Sequence, residues 1–118
     1  MLFIEYPKCT TCIKAKKWLD SHGIEYTDRH IKEENPSYDE LKSFWVKSGL
    51  ELKKFFNTSG VLYKSMNLKD KLPTMTEDEM LELLASDGML VKRPIFVSDD
   101  FVLVGFKQPE WEKTILIK

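Results

Sequence analysis

Cysteine and histidine are both scarce in this chain, 2 of each among 118 residues. Two cysteines cannot build the multi-bridge framework of a small secreted protein, so a structural disulfide scaffold is excluded. His22 and His30 stand at intervals from Cys12 and from each other that do not match a zinc finger, which argues against a metal site. No charge predominates: 18 basic and 19 acidic residues give a formal net charge of −1, without the basic footprint of a direct nucleic-acid binder. Long hydrophobic runs are missing as well, since Met1-Leu2-Phe3-Ile4 meets Glu5 and no later stretch approaches a signal core or a membrane span. Neither repeats nor low-complexity segments occur. These absences predict a cytosolic protein with no membrane segment and no metal. What remains is a chain with 42% hydrophobic residues, expected to fold as one domain over 1–118 and to bury a core without staples.

Both cysteines fall in one stretch, Tyr6-Pro7-Lys8-Cys9-Thr10-Thr11-Cys12-Ile13-Lys14. It follows an apolar run short enough for a strand, Leu2 to Tyr6, and opens a segment in which Cys12, Ala15 and Leu19 recur at helical spacing. A thiol delivered to a helix start meets unpaired backbone N–H groups and the positive end of the helix dipole. Cys9 is therefore the candidate nucleophile. Cys12, one turn on, is the candidate resolving thiol, placed to attack a mixed disulfide formed at Cys9. Such a setting lowers the first thiol from about 8.5 into a range of about 3.5 to 7.5, with Lys8 and Lys14 expected to act in the same sense. The competing reading is a pair of unreactive buried cysteines. In a reducing compartment a lone pair of this spacing after a strand favours redox chemistry.

Further along, His22-Gly23 is expected to close the first helix, with His22 as a last-turn cap, and Ile24 to Thr27 alternates as a second strand. Asn35-Pro36 breaks the chain before a capping box, Ser37-Tyr38-Asp39-Glu40, which starts a helix to about Lys47 with Leu41, Phe44, Trp45 and Ser48 inward, closed by Gly49. Leu50 to Leu72 reads as two or three short helices and no strand. A second capping box, Thr76 to Glu79, begins a helix that buries Met80, Leu83 and Leu84 and is stopped by Gly88. The end returns to strands, Pro94 to Val97 and Phe101 to Val104, around a Ser98-Asp99-Asp100 turn. A final helix from Gln108-Pro109 turns Trp111 and Ile115 inward. The order β-α-β, helices, β-β-α predicts an α/β, thioredoxin-like mixed sheet with a helical insertion over about residues 35–88.

Three segments together, Tyr6-Pro7-Lys8-Cys9-Thr10-Thr11-Cys12, Met89 to Ile95 with Arg93-Pro94, and Val104-Gly105-Phe106, resemble the glutaredoxin-like arsenate reductase family, which includes the Spx-type transcription regulators. The likeness covers essentially the whole chain. It implies that Cys9 is the catalytic cysteine, that Arg93 is brought beside it by a cis Pro94, and that Lys8, Thr10, Thr11, Asn57, Pro94 and Lys107 surround the substrate. It implies covalent capture of arsenate or another small oxyanion or disulfide, with no bound cofactor and with glutathione, glutaredoxin or thioredoxin as reductant. Where the reductases carry further arginines this chain has Asn57 and Phe106-Lys107, which predicts weak arsenate turnover. Cys9 and Cys12 also match the redox pair of the Spx-type regulators. Those regulators grip the C-terminal domain of the RNA polymerase α subunit, and Gly49 roughly matches a glycine in their polymerase-contacting region. Enzyme and redox-sensing regulator both stand as expectations.

Overall fold

The computed structural model describes residues 1–116. Four strands, β1 (Leu2–Glu5), β2 (Thr27–His30), β3 (Ile95–Val97) and β4 (Val102–Val104), form one mixed sheet in the order β2-β1-β3-β4. β1 pairs parallel with β2 and antiparallel with β3, and β3 pairs antiparallel with β4. Side chains alternate across a strand, so neighbours face opposite layers. Phe3, Phe96 and Leu103 join Ala15, Trp18, Leu19 and Trp111 on one face. Ile4, Ile95 and Val102 join the larger core of Leu41, Phe55, Leu81 and Leu84 on the other.

The first face is covered by α1 (Thr10–Ser21) and α6 (Gln108–Trp111), the latter continued by a wider turn over Glu112–Leu116. The second carries α2 (Tyr38–Ser48), α3 (Val61–Ser65), α4 (Leu68–Lys71) and α5 (Glu77–Ser86), with 3-10 turns at Leu52–Phe55, Leu72–Thr74 and Gly88–Leu90. Both capping boxes form: Ser37 Oγ accepts from Glu40 N and Thr76 Oγ1 from Glu79 N, and each glutamate accepts from its cap's backbone N–H. Gly49 ends α2 at φ +69°, a left-handed conformation that glycine adopts without a Cβ clash. Arg29 ties β2 to α2 by two bonds to Glu40, 2.6 and 2.9 Å, and this guanidinium holds the Glu40 carboxyl down at about 2.

Three expectations are corrected. The second strand starts at Thr27 and not at Ile24, because the Ile24 N–H is used on the Leu19 carbonyl that closes α1. Ile24 and Tyr26 instead pack on the α1 face, and the ladder is made by the polar residues of an edge strand. In α5 Leu81 is buried and Leu83 only partly so. Gly88 does not end a helix in a left-handed turn; Asp87 caps α5, and Gly88 lies against the Ile31 carbonyl, where an added Cβ would stand 2.0 Å from the oxygen. Between residues 50 and 72 no strand forms, although Phe56 makes an isolated bridge to Val91.

Glu5 closes β1 on the α1 face and is 5% exposed. Its Oε2 makes no hydrogen bond and has Lys16 Nζ at 3.8 Å, while that lysine bonds Asp28 at 2.8 Å. Burial, then hydrogen bonding and like charge from Asp28, raise the Glu5 carboxyl to about 7, with Lys16 opposing. The folded chain then holds a proton that the unfolded chain releases above about 4.5, so this contribution is full below that pH and is lost as pH rises through about 7. Glu5→Gln should gain about 2 kcal/mol on the wild type at pH 8 relative to pH 4.5. Thermal unfolding at the two pH values reads this directly; an equal offset at both would show that Glu5 does not carry the proton.

Candidate active site

Cys9 is the N-cap of α1 with extended backbone (φ −85°, ψ 121°). Its N–H donates to the Tyr6 carbonyl at 2.9 Å, which closes the Pro7-Lys8 turn after β1. That turn places Sγ over the helix start, where it accepts from the Cys12 N–H at 3.4 Å. Cys9 is half-buried, and Cys12, one turn down on the inner face, is 1% exposed; both are free thiols. Across from them the Arg93–Pro94 bond is cis, as expected, and Pro94 leads into β3 beside β1. The Arg93 guanidinium lies over the Tyr6 ring with Cζ 5.1 Å from the centroid. Its Nε and Nη1 are buried and make no hydrogen bond.

These neighbours push the two thiols apart. Burial acts to raise Cys9 but is outweighed by the Cys12 backbone N–H, the Cys12 thiol and the Arg93 guanidinium, so Cys9 is lowered. Cys12 is pushed up to about 12, first by burial and further by the hydrogen bond and charge of Cys9. Lys8 and Lys14, expected to assist, are exposed, and the cation acting on Cys9 is Arg93.

Cys9 opens on a cavity of about 620 Å³. Of the predicted residues, Cys9, Thr11, Asn57, Arg93 and Lys107 line it, whereas Lys8, Thr10 and Pro94 do not. Thr10 is the exposed first residue of α1, Lys8 sits outward on the turn, and buried Pro94 is used in holding Gly105, whose N–H donates to its carbonyl at 2.8 Å. Sequence reasoning missed Ser59, Gly60, Met89, Lys92, Gly105 and Phe106 as wall residues. Gly105 (φ +75°) packs under Lys92, whose Cε would be 2.9 Å from an added Cβ, and its carbonyl accepts from buried Trp111 Nε1 at 3.0 Å. The signals were partial: Lys92 adjoins Arg93, and a glycine between Val104 and Phe106 marks a tight backbone position.

The histidines serve local structure. His22 Nδ1 donates to the Trp18 carbonyl at 2.8 Å, and His30 Nδ1 accepts from the N–H groups of Lys32 and Glu33. Among the described residues no group of three His, Cys, Asp or Glu side chains could hold a metal ion, and no helix is long and apolar enough to cross a membrane.

A strand, a turn carrying Cys-x-x-Cys into a helix, and a cis proline opening the neighbouring strand define a protein of the thioredoxin-like class. The chain belongs to the ArsC family, whose profile matches residues 4–114. It is 58% identical over 113 residues to YusI of Bacillus subtilis, covering 96% of each chain. It is 34% identical over 110 residues to the regulatory protein MgsR of the same organism, covering 93% of this chain and 86% of that one. Among solved structures, an ArsC family related protein from Bacteroides fragilis superposes with a TM-score of 0.93 at 61% identity, covering 95% and 94% of the two chains. An arsenate reductase from Vibrio cholerae superposes with a TM-score of 0.82 at 25% identity, covering 99% and 96%. The chain is thus similar both to an arsenate reductase and to a regulatory protein.

Proposed function

We propose that the chain, acting as a single domain, is a thiol–disulfide redox protein in which Cys9 is the nucleophile, Cys12 the resolving thiol and Arg93 the binder of an anionic substrate group. The observation that carries this reading is the placement of the two sulfurs. One is half-exposed at a helix N-cap beside a guanidinium with two unpaired nitrogens, and the other lies buried one turn behind it. The Cys9 thiolate attacks a substrate disulfide, forms a new S–S bond and expels a thiolate. That bond removes the Cys9 charge and hydrogen bond that hold the Cys12 proton, so Cys12 becomes easier to ionise. Its thiolate then displaces the second substrate thiol, leaving a Cys9–Cys12 disulfide and a substrate reduced by two electrons. Glutathione, glutaredoxin or thioredoxin returns the pair to thiols.

Arsenate is the weaker substrate in this scheme. An arginine fork grips an oxyanion in two-pronged fashion, a lysine acts as a point charge and an asparagine has none, and the cavity offers Arg93, Lys92, Lys107 and Asn57. The 34% identity to a regulator supports a second reading, in which oxidation of the same pair changes a surface that docks the RNA polymerase α subunit. The test uses Cys12→Ser. On exposure to oxidised glutathione the wild type should end as an intramolecular disulfide, and the variant as a stable glutathione adduct on Cys9, both read by mass spectrometry. Arsenate turnover with glutathione and glutaredoxin should be weak and should rise in Asn57→Arg. Normal cycling of Cys12→Ser would remove Cys12 from its role, strong arsenate turnover would make the protein an arsenate reductase, and oxidation-dependent capture of the α subunit would favour the regulator.

A further inference from the structure

A second basin of about 280 Å³ adjoins the Cys9 cavity, and the two share Lys92, Val104 and Lys107 as walls. Lys53 and Lys54 complete the cationic lining, against a single lining carboxylate, Glu110. The positions of these lysines follow from the fold. Leu52 and Phe55 of the short 3-10 turn are buried, which throws the two residues between them outward. The turn is pinned to the strand-like segment before Arg93: the Lys92 N–H donates to the Phe55 carbonyl at 2.7 Å, and Phe56 bridges Val91. Lys92 then reaches across Gly105, which joins the two cavities along one wall. Lys53 is paired with exposed Glu51 at 3.3 Å, an exchangeable surface contact, while no protein carboxylate pairs with Lys54, Lys92 or Lys107 within salt-bridge distance among the described residues.

We propose that this basin is an acidic-segment subsite, so that the disulfides handled at Cys9 belong to peptides or proteins with Asp or Glu close to the reacting cysteine. The proposal rests on the redox reading of Cys9 and adds the substrate class. A peptide whose sulfur lies at Cys9 can run on, at about 3.3 Å per extended residue, along the shared Lys92, Val104 and Lys107 wall into the neighbouring basin. Four amines against one lining carboxylate make that basin attractive to side-chain carboxylates and repellent to lysine. A nucleic acid offers anions but no sulfur for Cys9, and the chain's overall charge of −1 gives it no net attraction for a polyanion.

The chemistry has a clean readout. Three otherwise identical peptides carry one cysteine activated as a 2-thiopyridyl disulfide, with Glu, Gln or Lys at the second and third residues on either side. The Cys9 thiolate bonds the peptide sulfur, and pyridine-2-thione leaves with the electron pair. At low ionic strength the Glu peptide should react about tenfold faster than the Lys peptide, with Gln between, and the spread should shrink in high salt. The Glu-to-Lys rate ratio should fall to about twofold in Lys53→Gln/Lys54→Gln, where Lys92 and Lys107 remain against Glu110, invert in Lys53→Glu/Lys54→Glu, and be kept in Lys53→Arg/Lys54→Arg. Equal rates for all three peptides, or a ratio that survives charge reversal, would overturn the subsite while leaving the redox reading in place. Failure of every peptide to react with Cys9 would overturn the redox reading itself.

Discussion

At pH 7 iodoacetamide should modify Cys9 at least about a thousandfold faster than Cys12. A thiol pushed up to about 12 is ionised in only about one molecule in 10⁵ at neutral pH, and Cys12 is also 1% exposed. Cys9, at the α1 N-cap and beside Arg93, is shifted the other way and reaches the cavity. A more acidic thiolate is intrinsically less nucleophilic, with a Brønsted slope of about 0.4–0.5, and this recovers part of the gap without closing it. Arg93→Ala should slow Cys9 about three- to fourfold at pH 6, because a nearby opposite charge is worth about one pKa unit and the same Brønsted slope returns part of that loss. The rates are read by mass spectrometry of the two modified sites over time. Rates within tenfold of each other, or an Arg93→Ala variant indistinguishable from wild type, would leave the role assignments without a basis.

Gly88→Ala should destabilise the fold by about 3 kcal/mol, the upper end of the usual range for overpacking. The added Cβ would stand 2.0 Å from the Ile31 carbonyl oxygen and 2.6 Å from Asn35 Oδ1, so both must move. Neither is free to do so. Ile31 is fully buried with its N–H bonded to the Glu5 carbonyl at 2.8 Å, and Asn35 Nδ2 donates to the Ala85 carbonyl at 2.9 Å. The effect reaches the site, since Met89 lines the Cys9 cavity and the Leu90 carbonyl accepts from Asn57 N–H at 2.8 Å. Urea unfolding should show the loss as a lower midpoint with an unchanged slope, accompanied by an altered Cys9 alkylation rate. A loss under 1 kcal/mol would mean that the turn at Gly88–Leu90 yields at little cost.

Whatever depends on neighbours within a few residues was legible in the chain. The Cys9–Cys12 spacing, both capping boxes, the Gly49 stop and the Ser98–Asp100 turn each satisfy local hydrogen bonds or backbone angles, so composition and period reveal them. Cys9 at a helix start needed only the strand and helix on either side of it. Tertiary structure decided the rest. β2 became Thr27–His30 because the partner strand's register, and not its own alternation, sets where an edge strand pairs. Gly88 owes its place to a carbonyl 57 residues earlier in the chain, at Ile31, and no local pattern encodes that approach. The Cys9 cavity draws walls from the Asn57–Gly60 loop, Lys92-Arg93 and the Gly105–Lys107 turn, segments far apart in sequence that meet only because the sheet order sets β3 beside β1 and β4 beside β3. A thiolate's charge is stabilised or opposed over a few ångströms, so which cation acts on Cys9 followed from that packing: the distant Arg93 does, and the adjacent Lys8 does not.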